Sequence, residues 1–546
     1  MKFWGALVGI ALLAGCGGGG SGSPGGNPPG NPPPPTGNDP PPVGPQVQFR
    51  DLEGSAPADA ALGQPLTVNW TIPAGLTPAS ITLEATVTAG PVALQTQCSV
   101  NAGTIAPDAT SATITIPNTC GPRTARRVEL RLTVESASDQ RSTATHVFAA
   151  PSTPETFAPR RVNLPVLRIT TDNLAPIVSR DVYLNGQMNL ESNVVGEPAV
   201  IGGIQVRGRG NSTWDLFPKK PYRLKLTDRQ PLLGMPSSRD WVLLANYSDK
   251  TMLRNALAMQ LGTAIGMPWA PRSAFVEAYV NDRYEGVYQL IENIKIAAGR
   301  VEIDELGEDD VAPDVLTGGY LLEVDFRRDG HTIVTAHDEL PIVFQDPEEP
   351  AQAQEDYIRN YLDEFEAVLR TDDFANPATG YAAYIDADSF IRWFLVNEVF
   401  RNYDARMATS CWMYKPRGEK LHMGPLWDFD IGAGNINYGD GFMTTGWWVR
   451  GAPWFSRLFE DPAFASRARQ MWNEIKEAQL AEMMQSIRTR AATLQQAQLN
   501  NFQRWPTLEN YVWPNFRVTG SYEGELEYLE SWLTARIEWM DSQFNP

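Results

Sequence analysis

The stretch YDARMATSCWMYKPRGEKLHMGPLWDFDIGAGN, residues 403–435, has one aspartate near its start and two more around a phenylalanine near its end. Asp428 and Asp430 are two residues apart, so both side chains point the same way if the segment is extended. Hard divalent metal ions prefer carboxylate oxygens as ligands. Each of these residues, like Asp404, is also compatible with a capped turn or a structural ion pair, because aspartate is common in loops. The spacing therefore raises a hypothesis of metal and phosphate chemistry that the rest of the chain must support.

A basic segment lies upstream, in VRGRGNSTWDLFPKKPYRLKL, residues 206–226. Its positive side chains surround a glycine-bearing turn between two candidate strands; they are Arg207, Arg209, Lys219, Lys220, Arg223 and Lys225. Backbone N–H groups in such a turn can face phosphate oxygens, because glycine permits close approach, and a lysine on the next strand can add charge. The alternative is a solvated basic hairpin without a ligand.

Residues 157–546 combine strand-like and helix-like patterns. The strand patterns come first, in AVIGGIQVRGRGN, KPYRLKL, AFVEAYV, GVYQLI and GGYLLEVDF. Helical periodicity appears in DKTMLRNALAMQLGTAI and then dominates EDYIRNYLDEFEAVLR, SFIRWFLVNEVF and the segments after Ala463. The sequence thus predicts an α+β domain in which a strand-rich part gives way to a helix-rich part.

Residues 46–150 alternate apolar and polar positions in short runs such as QPLTVNWTI and VELRLTVES, separated by turn residues. This pattern predicts a small all-β sandwich, Ig-like in size. Cys98 and Cys120 both lie in it and could form a disulfide if the chain is exported. No catalytic constellation is visible here, which favours a spacer or adhesive module.

The N-terminus, MKFWGALVGIALLAGC, has the shape of a secretory signal, and its ending resembles a bacterial lipobox. Residues 1–16 are therefore predicted to be a signal peptide whose Cys16 becomes lipidated, which anchors the protein to a membrane without spanning it. A plain signal peptide with an incidental cysteine is the alternative. Residues 17–45 are rich in glycine and proline and are predicted to be a flexible linker.

Charge and motifs exclude several functions. The net charge of −19 disfavours a general nucleic-acid binder, which would need a basic face. His331 and His422 are isolated from other metal-ligand types, so no zinc spacing is present. A Gly-x-Ser-x-Gly nucleophile elbow is also missing from the sequence.

Six separated blocks occur in one order: RGRGNSTW with KKPYRLKL, WVLLANYSDKTMLRNALAMQL, EAYVNDRYEGVYQLIENI, GGYLLEVD, NYDARMATSCWMY and PLWDFDIGAGN. Together they resemble the CotH family, the spore coat protein H kinases, over most of residues 165–440. The resemblance implies an atypical protein-kinase-like domain over residues 157–546, with a strand-rich lobe and a larger helical lobe. It also implies ATP and a divalent ion, Mg²⁺ or Mn²⁺, bound between the lobes.

The resemblance gives roles to the acidic residues. Asp404 stands where the family has its catalytic-loop aspartate, which would orient or deprotonate the attacking hydroxyl. Asp428 and Asp430 correspond to the metal-binding aspartate of other kinases, with Asp428 the preferred ligand.

The resemblance also suggests nucleotide-binding residues. Lys225 is similar to the strand lysine that contacts the α- and β-phosphates, and Lys220 is the second candidate. Arg209 and Asn211 would line the phosphate loop. Glu292, which closes a strand, would be either the partner of the lysine or a hinge residue near the nucleotide. Arg254 and Asp249 belong to a further block, where they would either organise the site or only brace a helix.

One departure from the family pattern concerns the second metal. The family usually has an asparagine shortly after the catalytic aspartate, and this chain has Thr409 and Ser410 there. Hydroxyl oxygens coordinate magnesium less commonly than a carboxamide does in this role, so Ser410 is the substitute ligand. Cys411, next in the chain, is expected to be a core residue.

Two functions follow from these observations. The first is an exported kinase that transfers the ATP γ-phosphate to serine or threonine hydroxyls of surface or exported proteins. The second is a surface scaffold or adhesin whose kinase-like fold has lost catalysis, consistent with the tether, the sandwich and Ser410. Because Gly17 rather than aspartate follows Cys16, the predicted location is the outer membrane or cell surface.

Overall fold

The computed structural model describes residues 47–50, 65–89, 96–116, 126–138, 141–150, 159–160, 162–194, 198–307 and 309–546. The predicted signal peptide and linker, together with Cys16 and Cys120, lie outside these residues. No helix within the described ranges is long and apolar enough to cross a membrane.

Strands occupy both the N-terminal region and the first half of the remaining chain. They are β1 (Gln48–Arg50), β2 (Pro65–Thr71), β3 (Pro78–Ala89), β4 (Thr96–Asn101), β5 (Ser111–Thr115), β6 (Arg126–Ser136), β7 (Arg141–Ala150), β8 (Val166–Thr171), β9 (Leu184–Glu191), β10 (Val200–Gly208), β11 (Tyr222–Leu232), β12 (Met235–Leu244), β13 (Ser273–Val280), β14 (Arg283–Glu292), β15 (Tyr320–Val324), β16 (Thr332–Val334), β17 (Pro341–Asp346), β18 (Cys411–Lys415) and β19 (His422–Met423).

Helices dominate the C-terminal part. They are α1 (Ser212–Leu216), α2 (Arg254–Ala264), α3 (Gln352–Leu369), α4 (Ala387–Val399), α5 (Phe455–Leu458), α6 (Pro462–Ile475), α7 (Gln479–Leu494), α8 (Ala497–Arg504) and α9 (Tyr522–Phe544). The predicted α+β class, with a β-rich N-terminal region and a helical C-terminal region, is confirmed.

The N-terminal region contains two antiparallel sheets, β1–β2–β5 and β4–β3–β6–β7. Alternation along β2 buries Leu66, Val68 and Trp70, and these residues join Leu83 and Leu130 of the other sheet in one apolar core. Side chains that alternate at a period of two supply one buried face per sheet, as expected for a sandwich. Cys98 of β4 is disulfide-bonded.

The next strands form a closed barrel in the order β10–β11–β12–β14–β13–β8–β9. All neighbours are antiparallel except β8 and β13. On β11, Tyr222, Leu224 and Leu226 fill the barrel interior, whereas Arg223 and Lys225 point outward. Closure pairs every strand on both sides, so the barrel is a rigid support for the turn that joins β10 to β11.

A second sheet, β16–β17–β15–β18–β19, and helices α2–α9 build the larger part of the domain. Helix α4 is almost entirely buried, including Phe390 and Trp393. Asp386 caps its N-terminus by accepting a hydrogen bond from the Ser389 N–H at 2.7 Å. This central helix ends directly before the loop that carries Asp404.

Helix α8 and the following Trp505, together called the C-terminal strap, brace the barrel. Asn501 Oδ1 accepts hydrogen bonds from Lys219 Nζ at 2.9 Å and from the Val287 N–H at 3.1 Å. The Trp505 indole donates to the Glu285 carbonyl at 2.8 Å. Burial lowers the pKa of Lys219 to about 7. The strap therefore satisfies polar groups that the barrel leaves buried.

Candidate active site

Asp404 lies in a short turn, Tyr403–Ala405, that follows α4. The Asn402 side chain caps this turn by accepting a hydrogen bond from the Asp404 N–H at 3.4 Å. Burial raises the pKa of the Asp404 carboxyl to about 7; the negative charge of Asp428 adds to the effect, and Arg327 opposes it. Asp404 and Asp428 are therefore close enough to interact electrostatically.

Asp428 and Asp430 flank Phe429, which is fully buried. The Phe429 N–H donates to Asn255 Oδ1 at 2.8 Å, which fixes the loop on α2. Ser248 Oγ donates to Asp430 Oδ2 at 3.4 Å. Burial, followed by the charges of Asp428 and Asp404, raises the pKa of Asp430 well above its usual value. The three carboxylates predicted from sequence, called the acidic cluster below, thus lie close enough together to interact electrostatically.

Ser410 belongs to this group as well. Its Oγ donates to Asp428 Oδ2 at 3.5 Å, and its backbone has a left-handed φ of 55°. Thr409 instead donates to Asp325 Oδ1 at 3.1 Å and accepts from Arg327 Nη1 at 2.7 Å. Of the two hydroxyls that replace the family asparagine, only that of Ser410 contacts Asp428.

Two further carboxylates, Glu323 and Asp325, were not assigned from the sequence. Both are buried at the end of β15. Burial raises the pKa of Glu323 to about 8, and the charges of Asp325 and Asp428 add to the effect. Glu323 Oε2 accepts a hydrogen bond from Gln345 Nε2 at 2.8 Å. The spacing of two residues in YLLEVD was the available signal, because it places both carboxyls on one face of a strand.

Arg209, in the β10–β11 turn, interacts with these carboxylates. The Arg209 guanidinium lies 5.2 Å from the centre of the Trp427 ring. Burial lowers the pKa of Arg209; Asp428 and Glu323 oppose this effect, whereas Arg223 and Arg207 add to it. Arg209 therefore interacts electrostatically both with the carboxylates and with the arginines of β10 and β11.

Arg207 and Arg223 form a cross-strand pair on that outer face. The Nε atoms of both are buried without a hydrogen-bond partner in the described part of the chain. Two unsatisfied guanidinium donors beside Arg209 suit an anion with several oxygens, because Arg binds phosphate in a bidentate manner.

A family model described as CotH kinase protein matches residues 206–540. The chain belongs to this family. The match covers the β10–β11 turn, the acidic cluster and the C-terminal helices, so the predicted resemblance is confirmed and extends beyond residue 440. No curated protein matches the chain.

The predicted lysines of the CotH domain lie apart from the acidic cluster. Lys225 is exposed on β11, where its register neighbours are Gln205 and Asp240. Lys220 donates to the Trp214 carbonyl and lies 5.3 Å from the Trp214 ring centre. Burial lowers the pKa of Lys220 to about 8. Lys220 thus braces helix α1, and Lys225 lies two residues beyond Arg223 on the same face.

Two other predicted nucleotide residues have structural partners. Asn211, at the N-terminus of α1, accepts a hydrogen bond from Arg180 Nη1 at 2.5 Å. Glu292 is fully buried at the end of β14 and pairs with Arg272 through Oε2 at 2.9 Å and Oε1 at 2.8 Å. Arg300 lies 3.8 Å from the same carboxylate. Glu292 is therefore paired with arginines in this CotH domain rather than with a lysine.

Asp249 and Arg254 form a buried ion pair, with Nη1 and Oδ1 2.5 Å apart. Arg254 also donates from Nε to the Gly432 carbonyl at 3.0 Å and from Nη2 to the Ala433 carbonyl at 3.3 Å. The sequence left two roles open for this pair, and the structure shows both. The pair braces the start of α2, and Arg254 also fixes the loop after Asp430.

A cavity of about 280 Å³ lies between the segment that follows β14 and the β18–β19 hairpin. Its lining includes Trp269, Arg300, Val301, Tyr414 and Pro425. An apolar cluster that contains Trp269 and Tyr414 also includes Trp427, whose ring Arg209 covers. The cavity and Trp427, the residue before Asp428, therefore border the same apolar cluster.

The acidic cluster fits a divalent ion by its donor chemistry. Among the described residues, no three His, Cys, Asp or Glu side chains form a ready-made metal group. Magnesium is commonly bound by only one or two carboxylates together with substrate phosphates. Asp428, Asp430 and Ser410 supply hard oxygen atoms, and the pKa of Asp430 is raised by burial and, to a lesser degree, by the negative charge of Asp428. These residues would hold an ion that arrives with a nucleotide.

Proposed function

We propose that this CotH protein is an ATP-dependent kinase that phosphorylates serine or threonine hydroxyls of proteins. One observation carries the proposal: Asp404, Asp428 and Asp430 lie close enough to interact with one another, and Arg209, which covers the Trp427 ring, interacts with Asp428. Phosphoryl transfer needs a carboxylate at the attacking hydroxyl, oxygen ligands for a metal ion and cations at the phosphates.

Asp404 would act on the acceptor. The hydroxyl oxygen attacks the γ-phosphorus, the bond from that phosphorus to the bridging β,γ-oxygen breaks, and ADP leaves. The hydroxyl proton passes to the Asp404 carboxylate. The Asp404 N–H is hydrogen-bonded to Asn402 in the turn that follows a buried helix, so the backbone that carries its carboxylate is positioned before the acceptor arrives.

Asp428, Asp430 and Ser410 would hold Mg²⁺ or Mn²⁺. When bound, such an ion would supply positive charge that neutralises the negative charge developing on the transferred phosphate. Asp428 is the better-placed ligand, since it contacts Ser410 and interacts electrostatically with both Asp404 and Arg209. Asp430, hydrogen-bonded to Ser248, would serve as the second carboxylate.

Arg209, Arg223 and Arg207 would bind the triphosphate. Their role replaces that expected for Lys225, which is exposed to solvent farther along β11. The base of the nucleotide would enter the cavity lined by Trp269 and Tyr414, where flat apolar surface is available. Arg209 would then connect the base and phosphate subsites through Trp427.

The acceptors would be exported or surface proteins if Cys16 anchors the chain as its sequence predicts. ATP is scarce outside the bacterial cytoplasm, so the second candidate function is a kinase-like scaffold without transfer. Ser410 favours that candidate, because the family asparagine is replaced by a weaker metal ligand.

Incubation of the full-length protein with γ-labelled ATP, Mg²⁺ or Mn²⁺ and a mixture of membrane and secreted proteins tests both functions. We expect label on serine or threonine with the wild type and none with Asp404→Asn. Nucleotide binding without transfer to any acceptor would support the scaffold, and equal labelling by both variants would contradict the assigned site.

A further inference from the structure

Arg401, three residues before Asp404, is a buried cation that contacts the segment following Asp428 and Asp430. We call residues 436–446 the post-motif segment. Arg401 Nη1 donates to the carbonyls of Thr445 at 2.8 Å and Gly446 at 2.5 Å. Its Nη2 donates to Asp440 Oδ2 at 2.8 Å. Arg401 is almost fully buried, whereas the Asp440 side chain is 51% exposed.

A second buried pair holds the end of the same segment. Arg536 Nη1 donates to the carbonyls of Thr444 at 3.1 Å and Gly446 at 2.8 Å. Arg536 Nη2 is 2.6 Å from Glu398 Oε2, and both side chains are inaccessible to solvent. Glu398 in turn accepts from the Trp448 N–H at 2.9 Å. Charges within the chain therefore hold the backbone of residues 444–448.

The post-motif segment also touches the catalytic loop. A Cβ atom on Gly439 would lie 2.3 Å from the Tyr403 hydroxyl, and one on Gly441 would lie 2.9 Å from the Tyr403 ring. Just after the post-motif segment, Trp448 stacks on Tyr403 with ring centres 4.3 Å apart. Its indole donates to the Tyr403 carbonyl at 3.0 Å. The position of this segment consequently determines the position of Tyr403, the residue before Asp404.

Many protein kinases order the equivalent segment only after phosphorylation, because the added phosphate pairs with an arginine. We propose that Asp440 supplies this negative charge permanently and that, through Arg401, it positions the catalytic loop without an activating phosphorylation. The proposal rests on the kinase function proposed above. Asp440 is a positioning residue, since it contacts Arg401 and not the acidic cluster.

Four forms of the full-length protein test this proposal: wild type, Asp440→Asn, Asp440→Glu and the control Asp338→Asn. Asp338 makes an ion pair at the same 2.8 Å distance with Arg370, but Arg370 is 43% exposed whereas Arg401 is buried. All are treated with a phosphatase, which is removed before assay. Transfer kinetics are measured with labelled ATP, and hydrogen exchange is measured over residues 436–446 without any acceptor.

We expect phosphatase to leave wild-type transfer unchanged. Asp440→Asn should lower kcat by about tenfold or more with KM for ATP changed by less than about twofold, as for a group that acts on the transition state alone. Asp440→Glu should recover most of the rate, and only Asp440→Asn should speed hydrogen exchange in the post-motif segment.

Wild-type activity lost on phosphatase treatment would overturn the proposal, as would unchanged kcat and exchange in Asp440→Asn. If the wild type transfers phosphate to no acceptor, the proposed function fails separately. Hydrogen exchange then tests the inference alone. Faster exchange in Asp440→Asn but not in Asp440→Glu supports the positioning role of Asp440, and unchanged exchange in Asp440→Asn contradicts it.

Discussion

The Arg209 guanidinium lies 5.2 Å from the centre of the Trp427 ring. This contact joins the β10–β11 turn of the barrel to the residue before Asp428. A cation over an aromatic face is stabilised by the ring quadrupole, which holds the guanidinium near the acidic cluster. Nucleotide phosphates that bind between Arg209 and Asp428 would therefore meet a cation whose position is already fixed.

The choice between arginine and lysine for the phosphates can be tested on one strand. Arg223→Ala should weaken ATP binding by about 1.5–3 kcal/mol, the usual contribution of a charge-assisted hydrogen bond. Lys225→Ala removes the same charge from the same face two residues away, and it should have a smaller effect. Isothermal titration with ATP and Mg²⁺ measures the affinity of both variants. A larger loss of affinity in Lys225→Ala would mean that the phosphates bind the lysine expected from sequence.

Substitution of each aspartate should impair a different step, either phosphoryl transfer or metal binding. Asp404→Asn keeps the side-chain shape but loses the proton acceptor, so phosphoryl transfer should stop while ATP and metal binding persist. Asp428→Asn and Asp430→Asn should raise the Mg²⁺ or Mn²⁺ concentration needed for nucleotide binding, because an amide is a weaker ligand than a carboxylate. Metal titrations followed by bound nucleotide separate the two classes, and loss of metal binding in Asp404→Asn would contradict this division.

Ser410 can be tested without straining its backbone. Its φ of 55° suits glycine and asparagine better than alanine. Ser410→Gly should weaken metal binding because the hydroxyl beside Asp428 is lost, and Ser410→Asn should bind metal at least as tightly as the wild type because it restores a carboxamide. If all three forms need the same Mg²⁺ concentration for transfer, Ser410 is not a ligand.

Glu323 gives a pH prediction. Its pKa is raised from an ordinary 4.5 to about 8, chiefly by burial, so the folded protein retains a proton that the unfolded chain releases. This stabilising contribution is complete below pH 4.5 and is lost as the pH rises toward 8. The melting temperature of Glu323→Gln should therefore rise relative to that of the wild type as the pH increases from 5 to 8.

Calorimetry of both proteins across that range measures the difference. Glu538→Gln, an exposed carboxylate on α9, is the control and should follow the wild type at each pH. A constant difference between Glu323→Gln and the wild type would mean that the Glu323 carboxyl is already ionised in the folded protein at pH 5.

The lipid anchor is tested through location. Cys16→Ser removes the thiol that would carry the acyl chains, so the protein should leave the membrane fraction. Membrane fractionation followed by immunoblotting measures this change. Gly17→Asp is an informative companion, since aspartate at that position should move the protein to the inner membrane by analogy with Gram-negative sorting. Unchanged fractionation of Cys16→Ser would exclude lipidation at this residue.

The resemblance of six ordered blocks to one family, rather than any single motif, led from the sequence to Asp404, Asp428 and Asp430. Two aspartates around an apolar residue became Asp428 and Asp430 around the buried Phe429, and helical periodicity in SFIRWFLVNEVF predicted α4. The same periodicity placed the start of α2 too early. That helix begins only at Arg254, because the Asp249 side chain accepts hydrogen bonds from the Thr251 and Arg254 N–H groups in a turn.

Residues whose environment depends on distant segments were not predictable in this way. Six cations near one turn look alike in sequence, yet Lys219 is buried against the C-terminal strap and Lys220 against Trp214. Arg207, Arg209, Arg223 and Lys225 are not held in this way, and of these four only Lys225 is exposed. The closed barrel was missed for the same reason, since the pairing of β8 with β13 joins strands about a hundred residues apart, which no local pattern records.

The C-terminal strap imposes an order on biosynthesis. Val287 and Asn501, which are hydrogen-bonded, are 214 residues apart. At a synthesis rate of roughly 5–20 residues per second, about 10–40 s pass between the emergence of the last barrel strand and that of its brace. During this interval Lys219 and the Glu285 carbonyl lack their final partners, whereas strands β1–β7 pair only with one another in the described part of the chain. A nascent chain of this protein therefore completes the described strand pairing of its N-terminal sheets well before the barrel receives its brace, and that interval is when a chaperone would be most useful.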